Sequence, residues 1–556
     1  MKHLITMRRT IELSDLAIPV AIISLLVLSL TCSAQWSSDP TAPMALCNAA
    51  NNQTGLKVIS DSDSGYYAFW SDARANASLN QLYGQHLDAS GNALWTANGM
   101  LIIDQPDSSI NENVPLLLPD GDLMIIYSYN SSVYVGEVIM AMRFSPEGLP
   151  VWAAPVQISR GGPGPLGTIH NFQQIKCLVS GDNVWLAWAY DPQGGNGYYA
   201  VERMDFDGNT QLGSPGLGTG LGFGPFTIHD DLAGGLILDW RTSNGSGAPL
   251  KAMRIDSAGA PVWTGQLNVS AGTAGLNFAF ATAADSTGSY ISIMETNNDL
   301  AMARYDTAAT FLWAPQPFYA CNESHTQSTP DLLLMDDHFY VAWRDSRPPA
   351  SNADMYLQKF DMDGTPLWTA DGVEVIAMNT YIPTPLVVAG DEGAVIATFD
   401  GGDGFVAQRA SSDGSLDWPA PVPFVMNGNG PFYELRTVLA DGMGGVTAFW
   451  QTYEKDLYAA HIDKYGNPGD HVGVNEVDRV QSLKIFPNPA TDRISLNTEV
   501  AMRSVRVLGM DGRTLIAPTT FGKAQAQLDV SSLAPGSYFI EATTAEGRMI
   551  GRFVKQ

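Results

Sequence analysis

A motif recurs about every 50 residues through the middle of this 556-residue chain, and that period constrains the fold more than any other sequence feature. Its marker is a turn glycine followed four residues later by tryptophan, at Gly91/Trp95, Gly148/Trp152, Gly259/Trp263, Gly364/Trp368 and Gly414/Trp418. Ala309/Trp313 keeps the spacing without the glycine, and Gly208/Leu212 keeps it without the tryptophan. Gly466/Asp470 is an eighth copy with no aromatic. Ahead of each turn stands a basic residue: His86, Arg143, Arg203, Arg254, Arg304, Lys359, Arg409 or His461. Farther upstream an apolar run ends in a large residue, at Trp70, Tyr127, Trp188, Trp240, Met294, Trp343, Phe399 and Trp450. A position filled in all eight copies is most simply scaffold, so the basic residues are expected to hydrogen-bond or ion-pair within or between repeats.

One repeat reads as four short strands, over 331–335, 338–343, 355–361 and within 366–376. Tight turns at Asp336-Asp337 and Asp361-Met362-Asp363-Gly364 join them in pairs. Four antiparallel strands per repeat predict an all-β chain built as a β-propeller. Near-continuous apolar runs at 123–127, 184–188 and 236–240 fit sheets covered on both faces. The eighth copy lacks its Trp-bearing fourth strand, while Trp36 lies 34 residues before Trp70, close to the 32 from Trp95 to Tyr127 and the 36 from Trp152 to Trp188. Residues 35–48 are therefore expected to complete the last blade, closing an eight-bladed ring and removing an exposed edge. Seven blades is the competing count, because the fifth copy around 291–294 is degenerate.

Charge divides the chain. Acidic residues outnumber basic ones 57 to 30, a net −27, which disfavours a nucleic-acid partner. From residue 480 onward nine Lys/Arg face six Asp/Glu, and none of the 13 tryptophans occurs there. That segment is +3 and the rest −30, which places a boundary near 470–480. The propeller is assigned 35–475, a linker 476–482 and a tail domain 483–556. The tail alternates short strands with turns at Asp511-Gly512, Pro535-Gly536 and Glu546-Gly547, as in a small Ig-like β-sandwich. At the other end, Lys2, Arg8 and Arg9 precede an apolar run from Leu16 to Leu30 and small residues at 32–34, the pattern of a signal peptide over 1–34. That run is shorter than the ~20 residues a spanning helix needs, so no transmembrane helix is expected in the mature chain. Cys47, Cys177 and Cys321 then remain, widely spaced, and buried free thiols are the expected state.

The chain holds no His-Glu-x-x-His, Cys-x-x-Cys, Gly-x-Ser-x-Gly or Walker loop. The turns carrying Asp205, Asp207, Asp361 and Asp363 offer two carboxylates each, whereas calcium takes six to eight oxygens; an Asp-capped hairpin is the plainer reading of these calcium candidates. Ser411-Ser412-Asp413-Gly414-Ser415-Leu416-Asp417-Trp418 resembles the Asp-box of sialidase propellers, with glycine directly after the aspartate and tryptophan four later. The Gly-rich run 213–224 has no strand–helix frame for a phosphate cradle and reads as an inter-blade loop. Loops between second and third strands are long and share one face with the inter-blade links, where binding residues concentrate. The candidates there are Asp72, Arg74, Tyr129, Tyr190, Asp191, Asp345, Arg347 and Tyr453. The twin sequences Trp70-Ser71-Asp72-Ala73-Arg74 and Trp343-Arg344-Asp345-Ser346-Arg347 also fit a local Asp–Arg pair that stiffens each loop, and this reading is preferred.

The tail carries a family resemblance. Phe486-Pro487-Asn488-Pro489, the strand before Asp511-Gly512, the segment Leu533-Ala534-Pro535-Gly536-Ser537-Tyr538-Phe539, and the closing run from Gly547 to Lys555 together resemble the C-terminal sorting domain (type A) of the type IX secretion system of Gram-negative bacteria. The resemblance covers about one seventh of the chain; Leu508-Gly509-Met510 stands where members often place an aromatic before the Asp. It implies export through the outer membrane by the type IX machinery, removal of the tail, and release or anchoring at the surface. It implies nothing about the repeats. For those the leading expectation is a non-enzymatic binding or adhesion module for extracellular glycan or protein, without a cofactor. The alternatives are a polysaccharide hydrolase or lyase using Asp72, Asp191 and Asp345, and a structural surface component.

Overall fold

Each repeat forms one four-stranded antiparallel sheet whose strands lie in chain order. In the first these are Gln53–Ser60, Tyr66–Asp72, Gln81–Leu87 and Met100–Ile103. The computed structural model describes residues 36–556 except 106, 132–135, 161–169, 193–197, 214–216, 219–223, 244–246, 264, 270–278, 314–317, 349–352, 378–384, 392, 400–403, 426–431, 470–482, 509–513 and 545–546. The segment read as a signal, the whole linker and Asp511-Gly512 thus lie outside the described residues. The chain forms two compact units, 1–470 and 471–556. No described helix is long and apolar enough to cross a membrane.

Six further sheets begin at Ile110, His170, Phe226, Phe280, Gln327 and Leu386; the second and third share one parallel pair, His170 with Gly136. The fifth sheet is complete despite its weak sequence, with Tyr290–Thr296 paired on both sides. The eighth takes three strands, Phe432–Ala440, Val446–Thr452 and Leu457–Ile462, from the end of the repeats and its fourth, Met44–Cys47, from the beginning. First strands of successive sheets touch in order, and the eighth touches the first.

Second strands are buried along their whole length in Tyr66–Asp72, Leu236–Arg241 and Tyr290–Thr296. The reason is that every sheet packs against a neighbour on each face. One apolar cluster joins Phe69 and Leu82 to Ile125 and Phe144, the next joins Ile126 to Leu186 and Trp188, and so on from sheet to sheet. The last joins Trp36, Leu46 and Phe449 of the eighth sheet to Leu56 and Tyr66 of the first.

The two repeated markers have one shared job. Arg254 Nη1 and Trp263 Nε1 both donate to the carbonyl of Thr307, in the third-strand turn of the next sheet, at 3.1 and 3.0 Å. Arg304 and Trp313 share Met362 O in the same way, and Arg409 and Trp418 share Lys464 O. The basic residue also pairs with a carboxylate at the first hairpin of its own sheet, as in Arg254–Asp231, Arg304–Asp285 and His461–Asp441. The turn glycine then lies flat on the preceding sheet's tryptophan. A Cβ on Gly466 (φ +82°) would stand 3.0 Å from the Trp418 ring, and one on Gly91 (φ +80°) 2.7 Å from Trp36. Trp36, 3% exposed, also donates to Ala89 O at 2.8 Å and stacks on His461, so it fills the aromatic position that the eighth copy lacks.

Three sequence readings need correction. The tryptophans do not sit on fourth strands: after the Asp-x-x-Gly turn a single bridge such as Phe360–Pro366 forms, Trp368 follows in the connection, and the strand proper is Val373–Ile376. The Gly-rich run is more than a loop, because Leu217–Gly218 is the fourth strand of the third sheet. The tail strands are not all short: Arg493–Leu508 is one strand, and it pairs with the equally long Thr514–Asp529 and with Gly536–Thr544. Lys484–Phe486 and Gly547–Lys555 complete the tail sheet around a core of Ile494, Val505, Val507, Ile540 and Phe553. Asn488 of the Pro-Asn-Pro segment locks onto the closing strand, donating to Arg552 O and accepting from Val554 N–H. Tyr538 OH donates to Ala534 O at 2.7 Å, and Gly551 leaves room for Ile485.

Trp36→Ala removes a buried indole from the junction of first and last sheets, and is expected to cost about 3–5 kcal/mol. A lowered urea midpoint by tryptophan fluorescence checks this, since the tail has no tryptophan and stays silent. An unchanged midpoint would show that closure does not depend on Trp36.

Candidate functional site

Repetition marks scaffold, so a site should show as residues that break the repeat. Such residues occur on the first strands. In seven of the eight sheets the first strand pairs one residue with the position just before the large marker of its second strand, which aligns those seven by register. That position holds Lys57 in the first sheet, Val114 in the second, Lys176 in the third, Thr227, Ala281 and Asp331 in the next three, and Thr437 in the eighth. Only the first and third of these carry lysine. Both lysines are exposed.

Bulges set their aim. The register shifts between Thr54 and Lys57, between Ile110 and Glu112, and between Gln173 and Lys176, with Gly55 and Gln174 in the left-handed region at φ 66° and 57°. Bulges of this kind bend a strand and redirect side chains. Here they open a pocket of about 360 Å³ lined by Gly55, Lys57, Asn111, Glu112, Asn113, Glu137 and Gln174. A second pocket of about 350 Å³ continues from Gly55 and Lys57 to Val114 and Thr437.

The two carboxylates of the first pocket are engaged internally. Glu112 Oε2 accepts the Ile175 N–H at 3.2 Å; Glu137 accepts from Ser128 Oγ at 2.5 Å and Asn111 Nδ2 at 3.0 Å. Crowding by protein raises the Glu112 carboxyl above the ordinary range, against the opposing pull of the Ile175 N–H and Lys57. The same crowding, helped by the charge of Lys57, lowers the Lys176 amine. Among the described residues neither lysine forms an ion pair. Asn113 is 1% exposed; its Nδ2 donates to Gly55 O, and its Oδ1 has no donor among the described residues. The repeat hid this site, because the count from lysine to marker is 13 in the first sheet and 12 in the third. Alignment by strand register is the signal that exposes it.

The loop-face candidates lie elsewhere. Asp72 and Asp345 are fully buried at the ends of second strands. Each accepts from the indole two residues earlier at 2.8 Å, from a backbone N–H (Arg74 or Arg347), and from the Arg74 or Arg347 guanidinium at 2.6 Å. Each guanidinium also donates to a carbonyl, Asn98 O or Asp371 O, and to the thiol of Cys47 or Cys321. It covers a tyrosine ring, Tyr83 or Tyr356, at 4.0 and 4.2 Å. Tyr129 is half-buried beside Tyr127, and Tyr453 is 62% exposed. Tyr190 and Asp191 end the strand Asn183–Pro192; their side chains lie outside the described residues. In the Asp-x-x-Gly turns, Asp205 accepts the N–H groups of Asp207 and Asn209, and Asp361 those of Asp363 and Thr365, so these carboxylates cap their own hairpins.

Burial opposes the charge on Asp345, but bonds from Arg347 and Trp343 outweigh it and hold the carboxyl below the usual range. A depressed folded pKa contributes stability that is present above the unfolded value of about 3.9 and is lost as pH falls through the folded value. Asp345→Asn should therefore destabilise most at pH 7, with the gap from wild type shrinking below about pH 4. Arg347→Ala strands the buried carboxylate and should cost about 3–5 kcal/mol. Urea midpoints across pH 2–7 measure both effects, and a gap independent of pH would overturn the first.

Comparisons with known proteins inform the two units unequally. No curated protein matches the chain. Similar solved structures include the polysaccharide lyase Uly1 (12% identity, 55% of this chain and 77% of that one, TM-score 0.38). Others are prolyl oligopeptidase B from Galerina marginata (12%, 78% and 56%, 0.38) and an α-L-arabinofuranosidase from Fusarium graminearum (9%, 59% and 99%, 0.30). The chain thus spans little more than half of the peptidase, and these scores carry none of the three activities over. The tail is different: residues 484–556 match the family described as secretion system C-terminal sorting domain. The chain carries a type IX secretion sorting domain and is exported to the cell surface or secreted.

Proposed function

We propose that the repeat unit is a closed eight-bladed β-propeller, followed by a small Ig-like sandwich, and that the propeller is a non-enzymatic binding module for an extracellular glycan or protein. The observation that carries this reading is the first-strand pocket. It gathers Lys57, Glu112 and Asn113, which do not repeat, on a scaffold whose repeated polar groups bond to one another. Support for the ring comes from the cyclic order of first strands and apolar clusters. Support for the sandwich comes from Arg493–Leu508, one edge of which passes from Lys484–Phe486 to Gly536–Thr544 while the other stays with Thr514–Asp529. Long, multi-partner loops on rigid blades suit recognition at a cell surface.

A polysaccharide-degrading enzyme is the second reading. Asp72 and Asp345 are poor candidates for it, since both are buried and fully bonded. What favours it is a pocket carboxyl raised from its ordinary value, Glu112, with the lowered amine of Lys176 on the neighbouring strand.

Arrays of bacterial, algal and plant glycans and of surface proteins, probed with the full secreted chain, should return a ligand; an empty result on both counts against a binding module. Reducing-end release from any bound polysaccharide, abolished in Glu112→Gln, would replace it with the enzyme reading. Removal of residues 480–556 is expected to leave a folded repeat unit confined to the periplasm, assayed by fractionation and protease resistance. Recovery of that truncated chain in the medium would contradict the tail's assignment as the export signal.

A further inference from the structure

The first-strand pocket is lined by acceptors that the protein itself leaves open. Glu112 accepts the Ile175 N–H with Oε2, and Glu137 accepts from both Ser128 and Asn111 with Oε1. The second oxygen of each carboxylate has no donor among the described residues. Asn113, 1% exposed, adds Oδ1, an amide oxygen of the same lining that is buried and likewise without a donor. Buried acceptors in that state are rare in folded proteins, and this one calls for a donor from outside the chain. Among the described lining residues the one cation is Lys57, which is exposed. Two carboxylates against one ammonium leave negative charge in excess, so the pocket asks for donors and for positive charge together.

Few small chemistries meet both demands. An anion faces the two carboxylates. A neutral hexose supplies donors and leaves the excess charge uncompensated. Calcium takes six to eight oxygens, and three open ones fall short of that. A primary ammonium carries three N–H donors and no acceptor, which matches the three open oxygens in number and in charge. Such a group comes on a methylene stem, as in lysine, or on a sugar ring. The lining decides between them, because none of its residues is apolar. A methylene stem would cover Asn111, Gln174 and Lys57 without bonding to them, whereas hydroxyls flanking the amine hydrogen-bond there. A pocket of about 360 Å³ is at the small end of ligand sites, which suits one sugar ring. The overall charge of −27 draws a cationic glycan toward the protein and leaves the choice of ring to the pocket.

We propose that the pocket lined by Lys57, Glu112, Asn113 and Glu137 binds an amino-sugar residue of an extracellular polysaccharide, its free ammonium donating to Glu112, Glu137 and Asn113 and its neighbouring hydroxyls bonding to Lys57. This rests on the binding-module reading and names its ligand class.

The test uses calorimetry at physiological salt on the full secreted chain, with tetramers of glucosamine, of N-acetylglucosamine, of glucose and of lysine. The glucosamine tetramer is expected to bind at least about tenfold more tightly than each of the others. Glu112→Gln removes the charge at nearly constant shape and should weaken it by about tenfold or more. Lys57→Gln keeps a hydrogen-bonding group while removing the like charge, and should leave the affinity unchanged or raise it. Unchanged secretion level and near-ultraviolet circular dichroism establish that the variants are folded. A Glu112→Gln protein that binds as wild type would show attraction by net charge alone and overturn the proposal. Equal or tighter binding of any comparison tetramer, or a tenfold loss in Lys57→Gln, would overturn it too. An array ligand without an amine and insensitive to Glu112→Gln would overturn it while leaving the binding module standing. No ligand of any kind would remove both.

Discussion

The contact on which the repeat unit depends is an indole laid against a turn one sheet away. Each turn glycine takes a left-handed conformation, and the absence of a Cβ lets the preceding sheet's tryptophan, or Leu212 at Gly259, lie on it. The indole N–H then has the next sheet's turn carbonyl within reach, and an arginine from the same sheet reaches that carbonyl too. One turn thus collects apolar contact, a neutral hydrogen bond and a charge-assisted one. None of these is available to an isolated sheet. Cohesion is therefore a property of neighbouring pairs, as in other stacked repeats, and a chain of such pairs is weakest where it ends.

Trp36 answers that weakness. It sits on Gly91 and against His461, so residues separated by almost the whole repeat unit meet at one indole. Met44–Cys47 adds the backbone ladder on Leu457–Ile462, and Leu46 and Cys47 enter the cluster shared by Tyr66 and Phe449. Stacking and strand pairing are linked there: without the strand, Leu457–Ile462 would present an open edge.

Much of this was legible because period and chemistry coincide. Glycine with a tryptophan four residues on is a spacing that only a turn followed by a return toward the neighbouring sheet requires, and a basic residue in all eight copies announces a shared partner. The partner itself was not legible, since a backbone carbonyl leaves no mark in sequence. Placing tryptophan on the fourth strand failed for a related reason: a lone bridge such as Phe360–Pro366 interrupts the ladder, and Pro366-Leu367-Trp368 reads as strand when it is connection. In the tail, residues 493–508 form one strand because they pair along their length with Thr514–Asp529, a long-range partner that hydrophobic pattern does not encode. The loop-face aspartates were visible as twins, and their burial beneath Arg74 and Arg347 follows from the indole and guanidinium being close enough in sequence to fold back on them.

The pocket was hidden by the feature that made the fold readable. Bulges with Gln174 and Gly55 at positive φ shift the first strands by a residue, so a period taken along the chain misaligns Lys57 with Lys176. Pairing with the second strand restores the alignment, and only then do two lysines appear where other sheets carry Val114, Thr227 or Ala281. A repeat scaffold tolerates such differences on its first strands because cohesion resides farther out, in the turns and tryptophans. Residues lining the pocket are thus free to vary without loosening the stack.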